Sequence, residues 1–159
     1  MYFVCGTEKG VSTVVAGGKL MYFNSLGVKQ GEYDIPAKYG NPASSIQFAA
    51  DGECWIAIPN TQIDRVQLSD MSVLETRTIK VTEGFWVMAN GSVWASKNEN
   101  FNLYNSSDVL QFTYERINDE TEGLIVDKYN SLWHNSDKYI HGGISGGNQV
   151  HKYILYPLI

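Results

Sequence analysis

The chain has 159 residues, enough for one ordinary domain with a hydrophobic core. Hydrophobic residues make up 43% and charged residues 18%, which excludes an intrinsically disordered chain. Net charge is −5 and no two of the 12 Lys and Arg residues are adjacent, which argues against both a phosphate-neutralising stripe for nucleic acid and a polybasic membrane patch.

Residues 2–7 are aromatic and β-branched and predict a strand. Glu8-Lys9-Gly10 predicts a turn, Val11 to Ala16 a second strand, Gly17-Gly18 a turn, and Leu20 to Phe23 a third strand. A short strand over Glu32 to Ile35 precedes the most loop-like stretch, Pro36 to Pro42. Strands are then predicted at 45–50, 54–58, 62–68 and 73–80, with turns at Asp51-Gly52 and Pro59-Asn60. The next group has strands at 84–89, 93–96, 101–104 and 109–117, with turns at Asn90-Gly91 and 105–108. The last has strands at 123–127, 132–134, 139–141 and 150–159, with a Gly-rich turn over 142–148. No stretch of helical period with caps occurs, so almost no helix is expected.

One phrase recurs through this order. Ala89-Asn90-Gly91-Ser92-Val93-Trp94 is its clearest copy, flanked by Ala50 to Trp55 and Lys128 to Trp133. Trp55, Trp94 and Trp133 are evenly spaced, and a weaker copy ending at Met21 precedes Trp55 by a slightly shorter interval. The slot three before each Trp holds Gly52, Gly91 or Asn130, with Gly18 in the weak copy. Glycine, and next best asparagine, tolerates the positive φ that a two-residue type I′ hairpin loop demands. Gly18, Gly52, Gly91 and Asn130 are therefore structural turn residues, and Trp55, Trp94 and Trp133 structural wedge residues.

Four short strands per repeat, with an aromatic early in the second strand, resembles β-propeller blades. The resemblance is to degenerate repeats of the Asn/Asp-Gly-x-x-Trp type, near those of bacterial two-component sensors and related extracellular proteins. It is not to WD40 or kelch sequences, because no Trp-Asp dipeptide ends a strand and the Gly-Gly pairs do not keep step with the Trp. It implies an all-β fold: a small β-propeller of about four four-stranded blades forming one domain over 1–159. The units fall at about 10–43, 44–82, 83–121 and 122–159. Residues 2–7 would then complete the last blade. A ring closed within one chain and a ring shared between two copies both remain open.

Candidate chemistry is sparse. Gly143-Ile144-Ser145-Gly146-Gly147 matches a nucleophile-elbow string, but no helix is expected after it and no acid follows. His134, His141 and Asp137 lack the companions of a metal site. Cys5 and Cys54 either pair or pack as free thiols, and free thiols are the favoured alternative. No phosphate-cradling or dinucleotide loop occurs. No cofactor and no metal are expected, and no enzyme.

The N-terminal residues lack a basic region followed by an apolar core, so no signal peptide is expected, and no apolar run has the length of a membrane span. The expected location is inside a cell or in a virus particle. The expected function is a non-catalytic interaction protein within a larger assembly, such as a capsid, neck or tail accessory protein of a bacteriophage. Its partners would be other protein subunits, with homo-oligomers included and nucleic acid and membrane excluded. A carbohydrate-binding, lectin-like propeller with a glycan partner is the alternative. Recognition is expected where the repeats differ, with Tyr39, Trp86, Tyr139, His141 and Asn148 as candidate contact residues.

Overall fold

The computed structural model describes residues 2–7, 10–15, 19–24, 26–39, 45–49, 52–82, 84–97, 100–115, 121–127, 131–136, 139–140, 144–145 and 149–154. Apart from one 3-10 turn at Ala37–Tyr39, the regular elements among them are β-strands. The chain divides into two compact units, Met1–Val81 and Thr82–Ile159.

In the first unit β1 (Tyr2–Thr7), β2 (Gly10–Val15), β3 (Lys19–Asn24) and β4 (Lys29–Asp34) form one antiparallel sheet in chain order. After the 3-10 turn, β5 (Ile46–Phe48), β6 (Glu53–Ile58), β7 (Gln62–Gln67) and β8 (Val73–Arg77) form a second. The core of this unit joins both sheets. Leu20 and Ile35 from the first group cluster with Ile46, Phe48, Cys54, Ile56, Val66 and Leu68 from the second.

In the second unit β9 (Phe85–Val87), β10 (Val93–Lys97), β11 (Asn100–Tyr104) and β12 (Leu110–Glu115) repeat the plan. The last sheet contains β13 (Thr121–Val126), β14 (Ser131–Ser136) and β17 (Gln149–Ile154), while β15 (Tyr139–Ile140) and β16 (Ile144–Ser145) pair only with each other.

The period of the tryptophans is visible in single hydrogen bonds. The N–H groups of Ala49, Met88 and Asp127 donate to the carbonyls of Glu53, Ser92 and Ser131 at 3.2, 2.8 and 3.0 Å. Likewise Ala57 N–H donates to Ser45 C=O and Ser96 N–H to Gly84 C=O. The sequence repeat is therefore a repeat of backbone pairing.

The hairpin loop differs from the expected two-residue type I′ form. Gly91 has φ of 80° while Asn90 is not among the positive-φ residues, and Gly91 N–H donates to Met88 C=O at 2.9 Å. This is a three-residue loop: a type I turn followed by a left-handed glycine in a bulge. Asn90 keeps ordinary backbone angles, and its Oδ1 accepts from Ser92 N–H at 3.0 Å. Gly52 also has φ of 80°.

Three further expectations are corrected by strand pairing. Residues 2–7 pair with β2 in the first sheet and do not complete the last blade. The first sheet thus starts at Tyr2, not near residue 10. The weak copy of the phrase is out of step, because Gly18 falls between β2 and β3 whereas Gly91 falls between β9 and β10. By register the position of Trp94, opposite Leu103, corresponds in the first sheet to Ser12 opposite Tyr22. A Gly-Gly pair turns any hairpin, so its presence did not identify which hairpin it was. Finally, Tyr139 belongs to a side hairpin. The third-strand place is taken by β17, where Lys152 stands opposite Trp133 as Leu103 stands opposite Trp94 and Arg65 opposite Trp55.

The fourth strands share a device. Pairing skips one residue between Lys29 and Gly31 in β4, between Val73 and Glu75 in β8, and between Leu110 and Phe112 in β12. Each is a one-residue bulge at the same place, near the start of an edge strand, where bulges twist the edge away from further pairing.

Candidate interaction surface

The turn leading into each fourth strand is built from a second repeated phrase. Asn24-Ser25-Leu26-Gly27-Val28-Lys29-Gln30 returns two repeats later as Asn105-Ser106-Ser107-Asp108-Val109-Leu110-Gln111. Asn24 Oδ1 accepts from the N–H groups of Leu26 and Val28, both at 3.0 Å. Asn105 Oδ1 accepts from Ser107 at 2.9 Å and Val109 at 3.0 Å. In both turns the residue three after the Asn is left-handed, Gly27 at φ 75° and Asp108 at φ 61°. Gln30 and Gln111 each donate to the carbonyl two residues back at 3.1 Å. In the second sheet the same place is filled by a turn one residue longer, with Gln67 N–H bonded to Ser72 C=O and Met71 at φ 57°.

These turns hold apolar side chains in solvent. Leu26 is 84% exposed and Val28 55%; Val109 is 54% and Leu110 50%; Val73 and Leu74 are 45% and 46%. Phe112 is exposed as well. Exposed apolar side chains thus occur in the turn-to-strand segment of three sheets, with Val28 matching Val109 and Val73 matching Leu110 by register.

A different cluster sits inside the first unit. Asp64, on β7, is fully buried. Its carboxylate accepts from Tyr39 Oη at 2.8 Å, Thr76 Oγ1 at 2.9 Å, Gln62 Nε2 at 2.6 Å and Lys38 Nζ at 3.1 Å. Burial pushes its pKa up, but the bonds from Tyr39, Thr76, Gln62 and Lys38 outweigh that and hold the carboxyl below the usual range. Burial, aided by the hydrogen bond and charge of Asp64, pushes the Tyr39 phenol far above its ordinary value. The equivalent pair in the third sheet is Asn102 accepting from Thr113 Oγ1 at 2.9 Å. The cluster pins the 3-10 turn to the second sheet, and every carboxylate donor is a neighbour within the fold. It serves as structure.

Among the expected contact residues, Tyr39 is therefore core and is corrected: its ring is fully buried. The loop composition around it signalled exposure, but Tyr39 points inward to satisfy Asp64. Trp86 is partly buried and packs on the cluster of Trp94, Phe101, Val126 and Leu132. It stands directly across the ladder from Trp94, in the position held by Gln47 and Ile125 in the neighbouring sheets. Tyr139 lies in β15, its backbone opposite Ser145. His141 and Asn148, like Gly18, Asn130 and Asp137, lie outside the described residues.

Trp94 is 4% exposed, between Phe101 of its own sheet and Val126 and Leu132 of the next. Trp55 is 7% exposed, with the Arg65 guanidinium 5.8 Å from its ring centroid and Glu53 and Glu75 beside that guanidinium at 3.4 and 3.3 Å. Trp133 donates from Nε1 to Asp127 Oδ2 at 2.8 Å. Cys54 is a free, buried thiol, and burial pushes its pKa up to about 12. Sequence inspection missed the exposed turn residues and Asp64. The spacing of the two Asn-Ser phrases was available as a signal for the turns, whereas nothing local marks Asp64.

Among the described residues no helix is long and apolar enough to cross a membrane. No family model matches the chain, and no curated protein matches it. Among solved structures it is similar to the WD40 β-propeller domain of Doa1, at 10% identity and a TM-score of 0.60, over 85% of this chain and 47% of that one. It is similar to the WD40 repeats of RRP9 at 10% identity and a TM-score of 0.53, over 86% and 48% of the two chains. A protein of unknown function from Bacteroides caccae is matched at 9% identity and a TM-score of 0.54, over 85% and 52%. The chain thus spans about half the length of these structures. At such identities the likeness is one of fold: the chain is an all-β, β-propeller repeat protein.

Proposed function

We propose that the chain is a non-catalytic interaction module that works within a larger protein assembly, its four repeat units forming one propeller domain. The observation that carries this is the recurrence of exposed apolar side chains at the entry to three fourth strands: Leu26 and Val28, Val73 and Leu74, Val109 and Leu110. Single exposed apolar residues are ordinary, but two in the same turn-to-strand segment of each of three sheets suit contact with a partner. The buried carboxylate Asp64 is already taken by four donors, which suits a structural role rather than proton transfer. Within this proposal the assembly is a particle such as a bacteriophage capsid, neck or tail, to which a small accessory chain would contribute protein contacts.

The test is co-sedimentation of the purified chain with such particles, comparing wild type with Leu26→Ser/Val28→Ser and Val109→Ser/Leu110→Ser. Association lost in the variants, with unchanged circular dichroism, is expected. Undiminished association would remove these turns from the interface. Binding on a glycan panel without protein association would favour the lectin-like alternative.

A further inference from the structure

We propose that His134 and His151 form a cross-strand binding site for a late first-row divalent cation, Zn²⁺, Ni²⁺ or Cu²⁺, which clips β14 to β17. The site is separate from the exposed turns and goes beyond the interaction-module reading. In sequence the histidine nearest His134 is His141, but the ladder places His134 of β14 directly opposite His151 of β17. Directly opposite residues of an antiparallel pair share one face of the sheet, with Cβ atoms ~4.5–5.5 Å apart. Two imidazoles rooted at that spacing can both reach one ion at the ~2.0–2.1 Å of a Zn–N bond. Imidazole is the commonest protein ligand for metals and suits these three ions, with Cu²⁺ held most strongly.

The same row in the sister sheets is Ile56 opposite Asp64 and Ala95 opposite Asn102. Each has one polar member, on the third strand, and it accepts from a threonine of the fourth: Asp64 from Thr76 Oγ1 and Asn102 from Thr113 Oγ1, both at 2.9 Å. The fold therefore takes a polar group at this place. Of these three rows, the one in the last sheet alone has a metal-ligating residue on both strands. The next pair along the same face is Ser136 opposite Gln149, both oxygen-bearing. Among the described residues no group of three or more His, Cys, Asp and Glu gathers, so two protein nitrogens hold the ion, with oxygen donors and water completing its shell.

The chain connection gives such a clip a role. The second and third strands are joined across residues 59–61 in the second sheet and 98–99 in the third, whereas β14 and β17 are joined across 137–148. Closing a longer connection costs more entropy, and a metal clip gains most where the loop it closes is long.

The experiment is isothermal titration calorimetry of the full chain, stripped with a chelator, against each of the three ions, for wild type, His134→Gln, His151→Gln and His141→Gln. Wild type is expected to bind one ion per chain. Its affinity should fall as pH drops through the imidazole range near ~6.5, and the ion should raise the unfolding temperature. His134→Gln and His151→Gln should each weaken binding by at least the ~10–100-fold that losing a supporting residue costs, while His141→Gln binds as wild type. Absence of saturable binding by wild type overturns the proposal, as does binding that persists when both His134 and His151 are replaced, or a loss confined to His141→Gln. If the variants do not fold, NMR of the wild type decides: substoichiometric Cu²⁺ should broaden the amide resonances of residues 133–135 and 150–152 before others, and broadening centred elsewhere overturns the proposal.

Discussion

The hydroxyl of Tyr39 donates to the carboxylate of Asp64 at 2.8 Å, joining two residues that are far apart in sequence. It ties the short 3-10 turn that follows the first sheet to the third strand of the second. Tyr39→Phe keeps the ring and removes one of four donors. It should lower stability by about 1–3 kcal/mol, as expected for a hydrogen bond to a charged group. Urea unfolding should show a lower midpoint with an unchanged slope. An unchanged midpoint would mean that the other donors suffice.

The same cluster sets a dependence on acidity. Asp64 is held below the ordinary carboxylate range when folded, whereas an unfolded aspartate titrates near pH ~4. Its contribution is therefore present above the unfolded value and lost as pH falls through the folded value. Urea midpoints of wild type should drop across this acid range. In Asp64→Asn that part of the drop should be absent, leaving a flatter acid limb and lower stability at neutral pH. Parallel profiles for the two proteins would contradict this.

Two glycines give a ranked comparison. Gly27 has φ of 75° with nothing within 4 Å of an added Cβ, while Gly91 has φ of 80° and its Cβ would meet the Ser106 Cβ at 3.2 Å. Gly27→Ala should cost only the left-handed strain, about 1–2 kcal/mol. Gly91→Ala should cost more, and Gly91→Asn less than Gly91→Ala. Thermal unfolding of the three variants checks the order.

Trp94→Ala should be among the most damaging single changes, at about 3–5 kcal/mol, because it empties a site enclosed by Phe101, Val126 and Leu132. Trp86→Ala should cost less, since Trp86 lies at the margin of that cluster. If the order is reversed, the repeat tryptophan is not the main filler of this core.

Much of the fold was legible because each turn phrase carries its own backbone demand. Gly52 and Gly91 take a left-handed conformation, as their position before a strand Trp implied. The loop type was not legible, since Asn90-Gly91 satisfies a two-residue and a three-residue loop equally well. The weak copy at Gly17-Gly18 misled because its glycines fit any hairpin, and only pairing partners reveal that Ser12 stands in the tryptophan's place. Asp64 was opaque for another reason. Its donors come from the 3-10 turn, from β7 itself and from β8, and no local pattern encodes such a meeting. The exposed turns were legible in principle from the echo of Asn24 in Asn105 two repeats later. Their valines look like ordinary strand residues, yet Val28 and Val109 lie in the turns just before β4 and β12.

The bond from residue 49 to 53 recurs from 88 to 92 and from 127 to 131. Ala49 and Met88 are thus the same junction met twice, and the segment between them begins and ends on matching backbone. Such a segment is modular: excised and copied in tandem, it joins to itself without a new turn. A gene duplicating the segment from Ala49 to Val87 would lengthen the chain by one full repeat and is expected to add one more four-stranded unit, grafted at a seam the molecule already contains.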